Sequence, residues 1–216
     1  MSYVVAIDGP AGSGKGTLAK GLSERLNLVN IDTGAMYRCV ALKSLRANLD
    51  VNDEKEIIDL VKDIDIELTE DGKVLLDKED VTDEIRSKEV SEIVSPISNI
   101  IEVREHLVNI QRKIAKGKNV VMEGRDITTV VFPDAKYKIY LDADIDCRVK
   151  RRFLENKEKG IDMTLDEVKE NIVSRDYNDM HKEVGALIRT DEQFYIDSTD
   201  LTIEEVLDTV INYINE

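Results

Sequence analysis

The sequence predicts a three-layer α/β fold built on a parallel sheet of five strands, and three features carry that prediction. Short apolar runs alternate with amphipathic stretches along the chain, the pattern that places helices on both faces of a parallel sheet. The first run ends in a glycine-rich turn that opens directly into a helical stretch, "YVVAIDGPAGSGKGTLAK" at 3–20. One region, 64–85, has antiparallel texture and interrupts the alternation as an insert.

Taken in order, "YVVAI" at 3–7 reads as a short buried strand that stops at the turn. From Lys15 onward Leu18, Ala19, Leu22 and Leu26 recur at helical spacing, and "LVNID" at 28–32 reads as the next strand. Helices are expected over 35–46 and 54–63, with Asp53 as N-cap of the second. Within 64–85 the alternation breaks at Asp71-Gly72, a hairpin signal, with a second turn near Lys78–Asp80. A long amphipathic helix follows over 99–117, with Gly117 as its C-terminal cap. The remaining strands fall at 119–124, 136–143 and 193–197, separated by helices at 144–158 and 164–182. A closing helix begins at Ile203, preceded by the capping hydroxyls of Thr199 and Thr202, with Glu205 completing a capping box for Thr202.

A chain of 216 residues can bury one sizeable core, so a single domain carrying an inserted part is expected. Acidic residues outnumber basic ones 45 to 30, a formal charge of −15, which disfavours a nucleic-acid backbone as partner but leaves room for a local basic pocket. Cys39 and Cys147 lie far apart and read as free thiols. No basic leader with an apolar core and no membrane-length run is present, which leads to the expectation of a soluble, cytoplasmic protein.

The turn carries the most specific chemistry. Cradling a polyphosphate takes backbone N–H groups aimed at the ligand, hence glycines free in φ, and a helix N-terminus whose dipole favours an anion. Gly9, Gly12 and Gly14 supply the first and the helix opening at Lys15 the second. Gly9 to Thr17 (Gly9, Pro10, Ala11, Gly12, Ser13, Gly14, Lys15, Gly16 and Thr17) are therefore the expected nucleotide-phosphate loop, with the Lys15 ammonium at the β- and γ-phosphates. The common pattern has Ser or Thr directly after the lysine. Here Gly16 intervenes, and Thr17, directly or through a water, is the expected contact toward magnesium.

A GTPase switch is disfavoured, because no glycine follows an aspartate at Asp-x-x-Gly spacing and the only Asn-Lys, at 156–157, lacks its aspartate. What remains is a set of arginines beside carboxylates. "DTGAMYR" (32–38) and "EGRD" (123–126) each follow a strand, at the carboxyl edge where open α/β sheets bind ligands. Arg104 lies on the long helix, and Arg175 and Asp179 stand four apart on another. Singly, each also reads as an ordinary solvated pair or a pinned loop. The run "RVKRRFLENKEK" (148–159) holds six basic and two acidic residues, with Arg148, Arg151 and Arg152 on one helical face.

Together, "IDGPAGSGKGT", "DTGAMYR", "VREHL..IQR", "GRDITTVVFPDA" and "DSTDLTIEEV" resemble, in order and essentially end to end, the bacterial cytidylate (CMP/dCMP) kinases among the nucleoside monophosphate kinases. The resemblance implies a P-loop kinase fold with a core at about 1–35, 118–145 and 185–216, an inserted monophosphate-binding part at about 36–117 and a lid at about 146–165. It implies ATP as phosphoryl donor with Mg2+, CMP and dCMP as acceptors, a monomer, and no membrane or nucleic-acid partner. Carried over residue by residue, Thr33, Arg104 and Asp126 read cytosine, and Arg38, Arg125 and Lys182 hold the acceptor phosphate. Ser95, Arg175 and Asp179 meet the ribose, Tyr37 packs nearby, and Lys15, Arg125 and the lid arginines Arg148, Arg151 and Arg152 act in catalysis. Three positions depart from the family pattern: Thr33 where Ser is frequent, Thr128 where Gly is usual, and Lys182 where Arg is usual, a change from a bidentate fork to a point charge. The alternatives are a kinase with another acceptor, such as UMP or AMP, and a non-catalytic ATP-binding sensor. His106 and His181 are expected at the surface or in packing, without a catalytic part.

Overall fold

The strand that precedes the glycine-rich turn lies in the middle of the sheet. The computed structural model describes residues 2–69, 72–158 and 160–216. In it β1 (Val4–Asp8) pairs in parallel with β6 (Val120–Gly124) on one side and β7 (Tyr137–Asp142) on the other. Adding β2 (Val29–Asp32) and β8 (Phe194–Asp197) gives the order β2-β6-β1-β7-β8, with every pairing parallel. Burial on both faces explains why β1 and β6 are almost unbroken apolar runs. The P-loop α/β architecture with five parallel strands is as the sequence predicts.

Helices α1 (Lys15–Leu26) and α8 (Ile203–Asn215) cover one face of the sheet, where Leu18, Leu22, Val206 and Leu207 pack with Val5, Ile7 and Ile139. The capping box of Thr202 and Glu205 closes the start of α8 as expected. Thr199 serves elsewhere: its Oγ accepts from the N–H of Asp144, 2.8 Å away, and so fixes the entry to α6 (Ile145–Glu158). Helix α7 (Leu165–Met180) has a second capping box, Thr164 with Glu167, which starts it one residue later than the sequence pattern and ends it two earlier.

The inserted part begins at α2 (Thr33–Arg46), capped by Asp32, and continues through α3 (Glu54–Lys62), capped by Asp53 as expected. A separate antiparallel sheet, β3-β4-β5 (Ile66–Leu68, Val74–Leu76, Glu79–Asp80), follows. Asp71 of the first hairpin turn lies outside the described residues, while Gly72 takes φ +83°. The second turn centres on Asp77 and Lys78, φ +49° and +72°, the left-handed pair a tight hairpin requires. A helix the sequence pattern lacks, α4 (Lys88–Ile97), is capped by Ser87 and carries Pro96 in its last turn. Helix α5 (Ile101–Ala115) is shorter than the 99–117 expected, because Ile100 is extended at its entry and Lys116, followed by left-handed Gly117 (φ +77°), closes it.

The insert has its own core, in which Met36, Ile57, Ile85, Ile97 and Leu107 are fully buried. Ile85 in particular joins the 3-10 turn Glu84–Arg86 to that core. Among the described residues no helix is long and apolar enough to cross a membrane. Truncating Ile85 to Ala should cost about 2–5 kcal/mol, since the cavity sits where two elements meet and neither can collapse freely. Urea unfolding checks this, and a loss below about 1 kcal/mol would show that the insert core adapts.

Candidate active site

The carboxyl ends of β1, β2 and β6 open into one cleft of about 1160 Å³. Its floor is the phosphate loop. Gly9 is held at φ +155° with the Leu141 carbonyl where a side chain would have to go, and Gly12 and Gly14 take φ +77° and +94°. Gly14 is the N-cap of α1 with no side-chain bond to that cap, so the first N–H groups of the helix face the cleft.

Lys15 is buried, its Nζ donating to the carbonyl of Pro10 at 2.7 Å and to Ser13 Oγ at 3.3 Å. Burial first, and then repulsion from Arg125, lowers its ammonium to about 7. A Cβ at Gly16 would come 3.1 Å from Glu123 Oε1, so that carboxylate would have to shift by a few tenths of an ångström to admit one. Glu123, at the end of β6, is pushed up by burial and then by Asp32. Glu123, Asp32 and Thr17 line the same cleft. Two carboxylates and a hydroxyl beside a phosphate loop suit a hard, hydrated divalent cation that takes its other ligands from phosphate and water.

Opposite the loop lies a second cationic set. Arg38 gives Nη2 to Asp32 at 3.1 Å, and its buried Nε has no hydrogen-bond partner among the described residues. Arg125 gives Nε to Asp179 at 2.7 Å, and Lys182 gives Nζ to the other oxygen of Asp179 at 2.9 Å and to Ser98 Oγ at 2.9 Å. Burial would raise the Asp179 carboxyl, but Arg125 and Lys182 prevail and hold it at about 2. Arg175 therefore does not pair with Asp179 four residues on. It faces the cleft without an ion pair among the described residues, lowered to about 10 by burial and then by Arg125 and Arg152.

Beyond these cations is a buried polar pair. Arg104 donates Nη1 to the Ser98 carbonyl at 3.1 Å and Nη2 to Asp126, and its buried Nε has no partner among the described residues. Tyr37 lies under the same guanidinium, 5.6 Å from ring centre to Cζ. Thr33 is anchored by its Oγ1 to the Glu123 carbonyl at 2.8 Å, and Ser95 of α4 lines the wall. Gly185, φ +71°, closes over the pair so tightly that any side chain there would overlap the Arg104 guanidinium.

The arginines of α6 divide. Arg151 and Arg152 line the cleft, Arg151 reaching the Ser198 carbonyl at 2.6 Å and the Ser13 carbonyl at 3.4 Å, and Arg152 bonding Glu155 at 3.1 Å. Arg148 turns inward. Its Nε donates to Ala143 O at 2.9 Å and its Nη1 to Ala11 O at 3.0 Å and to buried Asp176, whose other oxygen accepts from the Ala11 N–H at 2.9 Å. The geometry makes Arg148 a strut between α6, α7 and the phosphate loop, rather than a group facing the cleft. Lys159 of the same basic run lies outside the described residues. Ser98, Asp176 and Gly185 are residues around the site that sequence reasoning passes over, and none leaves a signal in the sequence; Glu123 is marked there only as part of "EGRD" at its strand end, without a role.

A sequence model described as "Cytidylate kinase" matches residues 5–216. A cytidylate kinase of Alkaliphilus oremlandii is 46% identical over 213 residues, 98% of this chain and 98% of its own. One from Caldanaerobacter subterraneus subsp. tengcongensis is 49% identical over 217 residues, covering 100% of this chain and 96% of its own. Among solved structures, a shikimate kinase of Bacteroides thetaiotaomicron aligns over 99% of each chain with a TM-score of 0.50 at 13% identity, a likeness of fold alone.

Two outcomes follow from this geometry. Asp176→Ala leaves the Arg148 charge buried and unpaired, which should cost roughly 3–5 kcal/mol in denaturant unfolding; a loss under about 1 kcal/mol would mean that water reaches the strut. A polyphosphate should restore the Lys15 charge that burial and then Arg125 suppress. Calorimetry of tripolyphosphate binding near pH ~8, in two buffers of different ionisation enthalpy, should then show proton uptake that Lys15→Met abolishes. Equal heats in both buffers would show Lys15 already charged.

Proposed function

The chain belongs to the cytidylate kinase family, and from that premise we propose how its own residues carry the reaction. It transfers the γ-phosphate of ATP to CMP or dCMP, giving ADP and CDP or dCDP. The observation that best supports an acceptor assignment is the buried Arg104–Asp126 pair, its Arg104 Nε without a partner among the described residues, standing beside a cluster of cations across from the phosphate loop. A guanidinium and a carboxylate side by side offer donors to the cytosine carbonyl and ring nitrogen and an acceptor to its exocyclic amine. Thr33 and Tyr37 frame that edge. No observation favours UMP, AMP or a silent sensor.

The acceptor oxygen needs no general base. It belongs to a phosphate whose second pKa is about 6, so it is already largely anionic at neutral pH. Catalysis is then positioning and charge stabilisation. In this reading Arg38, Arg125 and Lys182 fix the acceptor phosphate, each held by a carboxylate through one nitrogen. Ser95, Arg175 and Asp179 meet the ribose. Lys15 and the loop N–H groups of residues 9–17 grip the donor, and Arg151 and Arg152 close from α6 over the transferring group. Glu123, Asp32 and Thr17 would hold Mg2+ through its waters, and bound with the nucleotide it neutralises the phosphate oxygens. The insert at about 36–117 and the lid at about 146–165 would shut around both substrates and exclude water. Cytoplasmic pyrimidine nucleotide metabolism is the setting that CMP and dCMP imply, and a monomer suffices, since every residue named comes from one chain.

ADP formation with Mg-ATP and CMP, dCMP, UMP or AMP should be fast with the first two and slow with AMP. Arg104→Ala should cut kcat/KM for CMP about a hundredfold while leaving the KM for ATP close to its original value. Equal ATP hydrolysis with and without acceptor would contradict closure over both substrates.

A further inference from the structure

Asp126 occupies the N-cap position of an unusual turn. Residues Ile127–Val131 form a π-helical turn directly after it, and the Asp126 side chain caps none of that turn's N–H groups. In an ordinary helix start, an Asp at that position turns its carboxylate back onto the first free N–H groups. Here those donors are met by a residue distant in sequence. Asp8, fully buried at the end of β1, accepts from Ile127 N at 2.8 Å through one oxygen and from Thr128 N at 2.8 Å through the other. The Thr128 hydroxyl donates to the same oxygen at 2.6 Å.

The relay continues from Thr128. Its Oγ1 also accepts from Gln193 Nε2 at 2.5 Å, while Gln193 Oε1 accepts from Thr190 N at 2.7 Å. Gln193 thereby ties down the segment whose Gly185 closes over Arg104 and Asp126. Thr128 and Gln193 are both buried. All three side chains are thus shut away from the cleft, and none of them lines it.

We propose that Asp8, Thr128 and Gln193 form a positioning network that caps the turn in place of Asp126, leaving the Asp126 carboxylate free to face Arg104 and read the acceptor base. The network rests on the acceptor assignment made above. Its physical logic is substitution. Without Asp8 the turn's free N–H groups would compete with Arg104 for Asp126, and the base-reading edge would lose its acceptor.

The network predicts a selective defect. Thr128→Val, which keeps shape but removes the hydroxyl, and Asp8→Asn should each raise the KM for CMP about tenfold or more, with the KM for ATP within about twofold. Thr128→Ser should restore the wild-type KM for CMP, because it returns the hydroxyl alone. Gln193→Leu should reproduce the defect in milder form and carries the test if Thr128→Val does not fold. Parallel losses for CMP and ATP, or no rescue by Ser, would overturn the network. Wild-type protein that fails to turn over CMP would instead overturn the acceptor assignment.

Discussion

Repulsion among the cations of the cleft is the constraint to which much of the structure answers. Two polyanions must be held together, so the chain brings Lys15, Arg38, Arg125, Arg152 and Arg175 within one concavity. Burial and this crowding together bear on two of the groups. Lys15 sits near 7 and Arg175 near 10, each driven down by burial and then by arginine neighbours. An otherwise strongly acidic protein can tolerate this because each of three carboxylates in the cleft is shared with one or two cations. Asp32 steadies Arg38, Asp179 bridges Arg125 and Lys182, and Asp126 faces Arg104. What remains uncompensated is positive charge, preorganised before any ligand arrives.

That distribution also explains the rigid framing of the phosphate loop. Its backbone cannot be held by the anion it awaits, so it is held from behind. Asp176 and Arg148 clamp Ala11 from both its N–H and its carbonyl, and Arg151 reaches the Ser13 carbonyl. Three arginines of one helical run therefore do different work. The sequence shows them as equivalent, on one face at i, i+3 and i+4. Only the packing of α7, which brings Asp176 to the inner side, separates the strut from those that line the cleft.

How much can be read from the sequence follows the range of the forces involved. The parallel sheet and phosphate loop are legible because a strand buried on both faces must be apolar without interruption and a phosphate cradle must be glycine-rich. The capping box at Thr202 is legible because its partners lie three residues apart. Helix α4 is not, since Pro96 and its serines mimic a loop and its formation depends on Val90 and Ile97 finding the insert core. Thr199 misleads for a related reason: its hydroxyl is placed like a local cap but bonds an N–H 55 residues away. The residues proposed to hold the acceptor are recognisable only through family resemblance. The long-range bonds around them, Thr128 to Asp8 across 120 residues and Arg125 to Asp179 across 54, are fixed by topology and leave no local pattern.

The separation of the insert's apolar cluster from that of the sheet has a mechanical meaning. Leu68 and Ile114, both only partly buried, pack against the two clusters at once. Helix α5 spans the same seam, with Val103 and Leu107 buried in the insert cluster and Val108 and Ala115 buried in the sheet cluster, so a tilt of the insert must carry α5 with it or expose those side chains. The joint is therefore stiffened by α5, with Leu68 and Ile114 filling its edge. Enlarging or shrinking them would change how stiffly the insert is carried, with no atom altered in the cleft itself.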